Sequence, residues 1–154
     1  MRFGIRLKPF GRLCAMGLFL VILGCSAETK SGPPRIRYGE QVCSRCQMLI
    51  SEAPYAASLR TADGKVHRFD DAGCLLAFVR ELDTKGAQMW VHDHETEASL
   101  EVRQAFFVHS PRQITPMGYG LVAFAEEHAA KRHSESVQGR VLRWEDLPEV
   151  IQAH

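Results

Sequence analysis

Residues 43–50, with the sequence CSRCQMLI, constrain this chain more than any other segment. They place two thiols and a thioether within six residues, and such sulfur atoms are polarisable donors that favour soft metal ions, Cu(I) in particular. A structural zinc site normally uses four Cys or His ligands and has little use for Met48. The same residues also fit two other structures: a turn closed by a disulfide between Cys43 and Cys46, with Met48 in the core, or a redox-active thiol pair.

Pro54 follows this segment closely and argues against a long helix that begins at Cys43. Thioredoxin-like proteins place a CxxC pair at the N-terminus of a helix, where the helix dipole lowers the thiol pKa. The expected absence of such a helix counts against a redox function.

The first 24 residues have the parts of an export signal. A basic segment precedes an apolar run at 13–23, which is too short to span a bilayer comfortably. The run leads into Gly24 and Cys25 in the sequence ILGC, which resembles a bacterial lipobox. This resemblance implies cleavage before Cys25 and a lipid on its sulfur and new amino group. Ser26, rather than the Asp associated with inner-membrane retention, favours the outer membrane.

Three segments follow from this signal: a signal peptide at 1–24, a lipidated tether at 25–36 with two prolines, and one domain at 37–154. Without the signal, 15 Lys and Arg face 18 Asp and Glu, so no basic excess indicates nucleic acid. A chain of this length supports a single core. Cys43, Cys46 and Cys74 remain as working thiols, and their odd number leaves at least one free in an oxidising compartment.

Hydrophobic periodicity predicts a small α+β domain of two ββαβ-like units with mainly antiparallel sheet. Asp63-Gly64 marks a hairpin turn, and Asp70 or Asp71 is a plausible N-cap of the first helix. Leu82 is expected on the apolar face of that helix. Residues 93–103 fit either strand or loop, and 110–117 form a loop. The predicted strands are 55–61, 65–69, 88–92, 105–109, 119–124 and 141–144, and the predicted helices are 70–82, 125–136 and a closing turn or two at 145–152.

Five motifs in a fixed order resemble the NosL-type nitrous oxide reductase accessory lipoproteins. They are CSRCQMLI at 43–50, FDDAGC at 69–74, WVHD at 90–93, AFFV at 105–108 and TPMGYG at 115–120. The resemblance implies a fold similar to the organomercurial lyase core. It also implies Cu(I) binding, delivery of copper to periplasmic nitrous oxide reductase, and an ABC-type membrane complex as partner. Two residues depart from the family pattern: Gln47 stands where Gly or Asn is more usual, and Leu100 where an aromatic residue is common.

The predicted copper ligands are Cys46, Met48, Met117 and Cys43. Cys46 and Met48 are two residues apart, so in an extended segment both sulfurs project from the same side. Met117 lies in a Pro-Met-Gly loop, where a core side chain is less expected because loops lie at the surface. It can therefore close an open three-sulfur site. Cys43 is either a further thiolate or a disulfide partner.

Other reactive residues have simpler explanations. Cys74 is expected to pack in the core, although a disulfide or a ligand role stays open. Asp70 and Asp71 are expected to cap the helix. His92 and His94 are two apart but have no third ligand at a characteristic spacing.

The sequence thus indicates a non-enzymatic, lipid-anchored Cu(I) metallochaperone that faces the periplasm. One alternative is a thiol–disulfide redox lipoprotein that uses Cys43 and Cys46, and another is a soft-metal protein that serves a different copper enzyme. An enzyme resembling organomercurial lyase would need two thiols and a carboxylate together. Cys46, Cys74 and Asp70 are the candidates for that set, and nothing in the sequence brings them together.

Overall fold

The computed structural model describes residues 32–150, so the predicted signal peptide, Cys25 and most of the tether lie outside the described residues. Within this range the chain forms seven strands, three α-helices and two short 3-10 helices. The strands are β1 (Ala57–Arg60), β2 (Val66–Phe69), β3 (Gln88–His92), β4 (Ser99–Glu101), β5 (Phe106–His109), β6 (Leu121–Phe124) and β7 (Arg140–Leu142). The helices are α1 (Ala72–Arg80), α2 (Glu127–Val137) and α3 (Leu147–Val150), with short 3-10 helices at Ala53–Tyr55 and Trp144–Asp146.

Two antiparallel sheets of related topology confirm the predicted α+β fold. The first sheet has the strand order β2-β1-β3-β4 and the second has the order β6-β5-β7. In each ββαβ unit a hairpin is followed by a helix, and the third strand pairs with the free side of the first strand. Strand β4 extends the first sheet at its edge.

The main core lies between the first sheet, part of the second sheet and helix α1. This helix buries the residues of its first turns, including Cys74 and Leu75, and contacts β1, β2 and β6. Phe69 and Phe107 are fully buried in this core, where each large apolar side chain contributes about 1.5–3 kcal/mol. A second, smaller cluster between α2 and the second sheet contains Val108, Val122, Phe124, Ala129 and Ala130.

Asp93 links the two sheets at the end of β3. Its backbone forms an isolated parallel bridge with Ala123. Its Oδ2 accepts a hydrogen bond of 2.6 Å from the Ala125 N–H, and its Oδ1 accepts one of 2.7 Å from the Thr96 N–H. The two units therefore share a buried polar joint as well as apolar contacts. No helix within residues 32–150 is long and apolar enough to cross a membrane.

Several predicted boundaries need correction. Helix α1 ends at Arg80, so the placement of Leu82 on its apolar face was wrong, and Leu82 is 38% exposed. The last strand ends at Leu142 rather than at 144, because Trp144 begins a 3-10 helix that is held by a hydrogen bond from the Arg143 N–H to Asp146. The ambiguous segment 93–103 divides into a turn and strand β4.

Candidate metal centre

Three thiols and one carboxylate meet at the N-terminal end of α1. The ligand atoms of Cys43, Cys46, Asp70 and Cys74 all lie within 4.8 Å of one another. Cys43, Cys74 and Asp70 are buried, with exposed fractions of 0%, 1% and 3%, whereas Cys46 is only half-buried. The cluster is therefore a deep set of donors with one thiol at its mouth.

A tight turn presents Cys43 and Cys46 to this cluster. The Cys43 N–H donates to the Met48 carbonyl at 2.8 Å, and the Gln47 N–H donates to the Cys43 carbonyl at 3.1 Å. The turn is fixed to the edge of β2, because the Ser44 N–H donates to the Arg68 carbonyl at 2.8 Å. No helix begins at this turn in the described chain, which agrees with the prediction made from Pro54.

Gln47 changes the predicted geometry of the turn. Its φ of 64° is in the left-handed region, so the chain between Cys46 and Met48 is not extended. The prediction of an extended segment between Cys46 and Met48 was therefore wrong. Gly or Asn would adopt this left-handed conformation at lower cost than Gln.

The junction between β2 and α1 supplies the other two donors. Phe69 ends β2 in the core, and Asp70 follows it directly with a carboxylate that accepts a hydrogen bond from the Cys46 thiol at 3.4 Å. Cys74 lies four residues after Asp70, on the first turn of α1. Because Asp70 precedes the N-cap Asp71, the strand–helix junction, rather than helical spacing, brings its carboxylate to the Cys74 thiol.

Asp71 is the N-cap of α1, as predicted for one of the two aspartates, and Asp70 is not. The Asp71 Oδ1 accepts a hydrogen bond from the Gly73 N–H at 2.7 Å. Its Oδ2 accepts one from the Met117 N–H at 3.1 Å. Only glycine fits at position 73, because Tyr119 packs directly on it. A Cβ there would lie 2.0 Å from Tyr119 Cγ. These contacts join the first turn of α1 to the loop that carries Met117.

The three thiols differ strongly in acidity. A hydrogen bond from the Cys74 thiol lowers the pKa of Cys43 to about 6. Burial, together with a hydrogen bond to Cys43, raises the pKa of Cys46 to about 11. The hydrogen bond to Cys43 is also the main reason why the pKa of Cys74 is raised. Cys43 is therefore the most acidic of the three thiols, because the Cys74 thiol and the Cys46 backbone N–H stabilise its thiolate.

The two predicted thioether ligands lie at the rim of the domain. Met48 is 52% exposed on the segment that carries the cysteines. Met117 is half-buried, packs against the main core and is tied to Asp71 through its backbone. The structure thus brings Cys43 and Cys46 into the cluster, and it leaves both methionine roles as predictions.

The two histidines considered from sequence have other contacts. His92 hydrogen-bonds the Ala56 carbonyl through Nδ1 at 2.8 Å, and its Nε2 lies 3.3 Å from the Tyr38 hydroxyl. The ring of His94 packs against Tyr55, Phe124 and His133.

Asp70 and Cys74 are the members of the cluster that were not among the predicted ligands. Cys74 is buried, as expected, but it also faces two other thiols. The FDDAGC motif could have identified both residues, because an Asp directly after a strand and a Cys four residues later meet at the start of a helix. The structure also brings together Cys46, Cys74 and Asp70, the set that an organomercurial lyase-like reaction would need.

The fold and the cluster define a small α+β protein with a thiol-rich site suited to a soft metal ion. The family model for NosL matches residues 37–151, so the chain belongs to the NosL family. This confirms the resemblance drawn from the five motifs. The copper-binding lipoprotein NosL of Stutzerimonas stutzeri is 24% identical, over an alignment that covers 92% of this chain and 81% of that protein.

A solved structure supports the same assignment. The crystal structure of the copper chaperone NosL from Shewanella denitrificans matches with a TM-score of 0.64 and 25% sequence identity. The match covers 79% of this chain and 100% of that chain. The two ββαβ units described above therefore belong to a fold known from a copper chaperone.

Proposed function

We propose that this protein is a lipid-anchored Cu(I) metallochaperone that delivers copper for the maturation of periplasmic nitrous oxide reductase. The observation that carries the proposal is the convergence of three thiols and one carboxylate within 4.8 Å, with only Cys46 at the mouth. Its relatives are named a copper-binding lipoprotein and a copper chaperone, which supports copper as the cargo.

The donor chemistry favours Cu(I). Thiolate and thioether sulfurs select this ion over harder cations. Cys43 supplies a thiolate at neutral pH because its pKa is lowered to about 6. Cys46, Met48 and Met117 add sulfur donors nearer the surface. A low-coordinate site of this kind suits a carrier, because a ligand from the recipient can add before the first ligands leave.

The surface around the mouth suits a protein partner. Among the described residues, the segment that carries the cysteines exposes Val42, Met48 and Leu49 to about half of their surface, and Ile114 is 85% exposed in the loop that carries Met117. Exposed apolar side chains on the two segments that carry the proposed ligands suit an interaction site. We assign this surface to docking of the copper enzyme or of its ABC-type maturation complex. A copper enzyme other than nitrous oxide reductase remains the alternative recipient.

The lipid anchor rests on the ILGC sequence that ends at Cys25, and the named relative is a lipoprotein. We propose that Cys25 is lipidated after removal of 1–24 and holds the domain on the periplasmic face of the outer membrane. Mass spectrometry of the membrane-extracted protein tests this assignment, and an unmodified Cys25 would contradict it.

Anaerobic titration with Cu(I) in competition with a chelator tests the proposed site. Met48→Leu and Met117→Leu keep volume and apolarity, so each should cost less than about 1.5 kcal/mol of stability. Each should lower Cu(I) affinity at least about tenfold, or about 1.4 kcal/mol, and Cys46→Ser should lower it more. Met89→Leu is the matched control, because Met89 is also half-buried against the main core but lies on β3.

Cys74→Ser separates packing from ligation. If Cys74 only packs, the variant loses stability through a buried hydroxyl and keeps its copper affinity. If the whole cluster holds the ion, affinity falls as well. Normal affinity in both methionine variants and in Cys46→Ser would exclude the proposed site.

A thiol–disulfide redox function is the second candidate, and the low pKa of Cys43 beside Cys46 favours it. Equilibration with glutathione buffers tests it. Catalysed disulfide exchange by a protein that binds no Cu(I) would support this function instead. Release of a hydrocarbon from an organomercurial would instead support a lyase that uses Cys46, Cys74 and Asp70.

A further inference from the structure

The buried carboxylate of Asp71 connects the two ββαβ units beside the thiol cluster. It has no exposed surface, and its two oxygens serve different parts of the chain. Oδ1 accepts from the Gly73 N–H at 2.7 Å and so caps α1. Oδ2 accepts from the Met117 N–H at 3.1 Å, across 46 residues of sequence. The Thr115 hydroxyl donates a third hydrogen bond to the same carboxylate.

The loop on the other side of this contact has a defined shape. The Gly118 N–H donates to the Thr115 carbonyl at 3.0 Å, which closes a turn with Met117 at its third position. The Gly120 N–H donates to the Thr115 hydroxyl at 3.3 Å. Gly120 has a φ of 62°, and a Cβ there would lie 2.2 Å from the Ser110 carbonyl oxygen. The turn is therefore rigid within itself, and Asp71 attaches it to the helix that carries Cys74.

We propose that Asp71 is a positioning residue for copper, because it holds the Met117 turn against the thiol cluster. Its neighbours in sequence, Asp70 and Cys74, belong to the cluster, whereas its own oxygens are occupied by Gly73, Thr115 and Met117. Its effect on affinity then acts through the Met117 sulfur. The inference rests on the proposed function, in which Met117 is a ligand.

Asp71→Asn is the decisive variant. Asparagine caps a helix as well as aspartate does, so the bond from Gly73 can persist. Its amide nitrogen cannot accept the Met117 N–H, so the bond to the turn is lost. Asp93→Asn is the matched control, because Asp93 is also buried, also caps a local turn with Oδ1 and also reaches a distant N–H, that of Ala125, with Oδ2.

The measurement is a double-mutant cycle in Cu(I) affinity. Asp71→Asn should lose about as much affinity as Met117→Leu, about tenfold. The combined variant should lose no more than either single variant, because both remove the same ligand. Asp93→Asn should lose stability and keep its affinity. X-ray absorption of the Cu(I) form of Asp71→Asn should show one sulfur ligand fewer than the wild type.

The outcomes separate this inference from the proposed function. If Met117→Leu lowers affinity but Asp71→Asn does not, or if the two losses add, Asp71 is not a positioning residue and the copper site stands. If Met117→Leu itself keeps full affinity, the role of Asp71 is overturned together with that ligand. If Asp71→Asn does not fold, Thr115→Val replaces it in the cycle, because it removes the hydroxyl that binds Asp71 and Gly120 and leaves the cap intact.

Discussion

The unequal acidities of the thiols predict how copper affinity depends on pH. Cys43, with a pKa of about 6, is already a thiolate at neutral pH and binds Cu(I) without losing a proton. Cys46, with a pKa of about 11, is a thiol and must release its proton to bind as a thiolate. Metal ligands of this type couple binding to proton release.

The magnitude follows from this proton count. Between the two pKa values, binding should release about one proton, so affinity should rise about tenfold, or about 1.4 kcal/mol, for each unit of pH. Below a pH of about 6 Cys43 is protonated as well, and the dependence should approach about a hundredfold per unit. If Cys74 also binds as a thiolate, copper binding releases one further proton between these two pKa values, and the affinity rises more steeply with pH.

The assay is an anaerobic competition series from weakly acidic to weakly alkaline pH, with a chelator whose own affinity is constant over that range. A pH indicator in weak buffer counts the protons released per copper. Cys46→Ser should remove the part of the pH dependence of Cu(I) affinity that Cys46 causes. Met48→Leu should instead weaken Cu(I) binding equally at every pH. A wild-type affinity that does not change with pH would refute the assignment of Cys43 as thiolate and Cys46 as thiol.

Two further predictions concern stability. Gln47→Gly should raise the free energy of unfolding by about 0.5–1 kcal/mol, because relief of the left-handed strain exceeds the entropy cost of glycine. A lower melting temperature of the variant would contradict this prediction. His94 has a lowered pKa through burial and the nearby His133, and its buried Nδ1 has no partner among the described residues. The unfolded chain therefore binds more protons than the folded chain below a pH of about 6.5, so stability should fall as the pH falls through that range. His94→Phe should reduce this loss in denaturant titrations, and an unchanged pH profile would exclude His94 as its source.

Much of the fold could be predicted because local signals agreed with tertiary packing. Strand β3 was predicted at its observed bounds, and the hairpin of β1 and β2 followed from its Asp-Gly turn. Strand β4 was ambiguous because it is a three-residue edge strand with exposed ends, so its pairing leaves little hydrophobic pattern. Leu82 was misplaced because helical spacing continues in the sequence for two residues after the backbone leaves the helix.

The site was less accessible to sequence reasoning than the fold. The thiols of Cys43 and Cys46 were recognised from their spacing, but the left-handed Gln47 cannot be read from periodicity. Asp70 and Asp71 have the same side chain in consecutive positions, and only the start of α1 decides which one caps the helix and which one faces the thiols. The bond from Met117 to Asp71 spans 46 residues, and no local pattern encodes it.

The two units also show why a thiol site forms at one helix start and not at the other. Phe69 and Phe124 end equivalent strands, and Asp71 and Glu126 then stand at equivalent N-cap positions. In the second unit, Ala125 and Ala129 occupy the places of Asp70 and Cys74, so the carboxylate and the thiol are missing at these two positions. The second unit instead contributes the turn that Asp71 holds. One unit thus carries the donors while the other supplies the loop beside them, so loss of the contact between Asp71 and Met117 should weaken copper binding without removing any thiol.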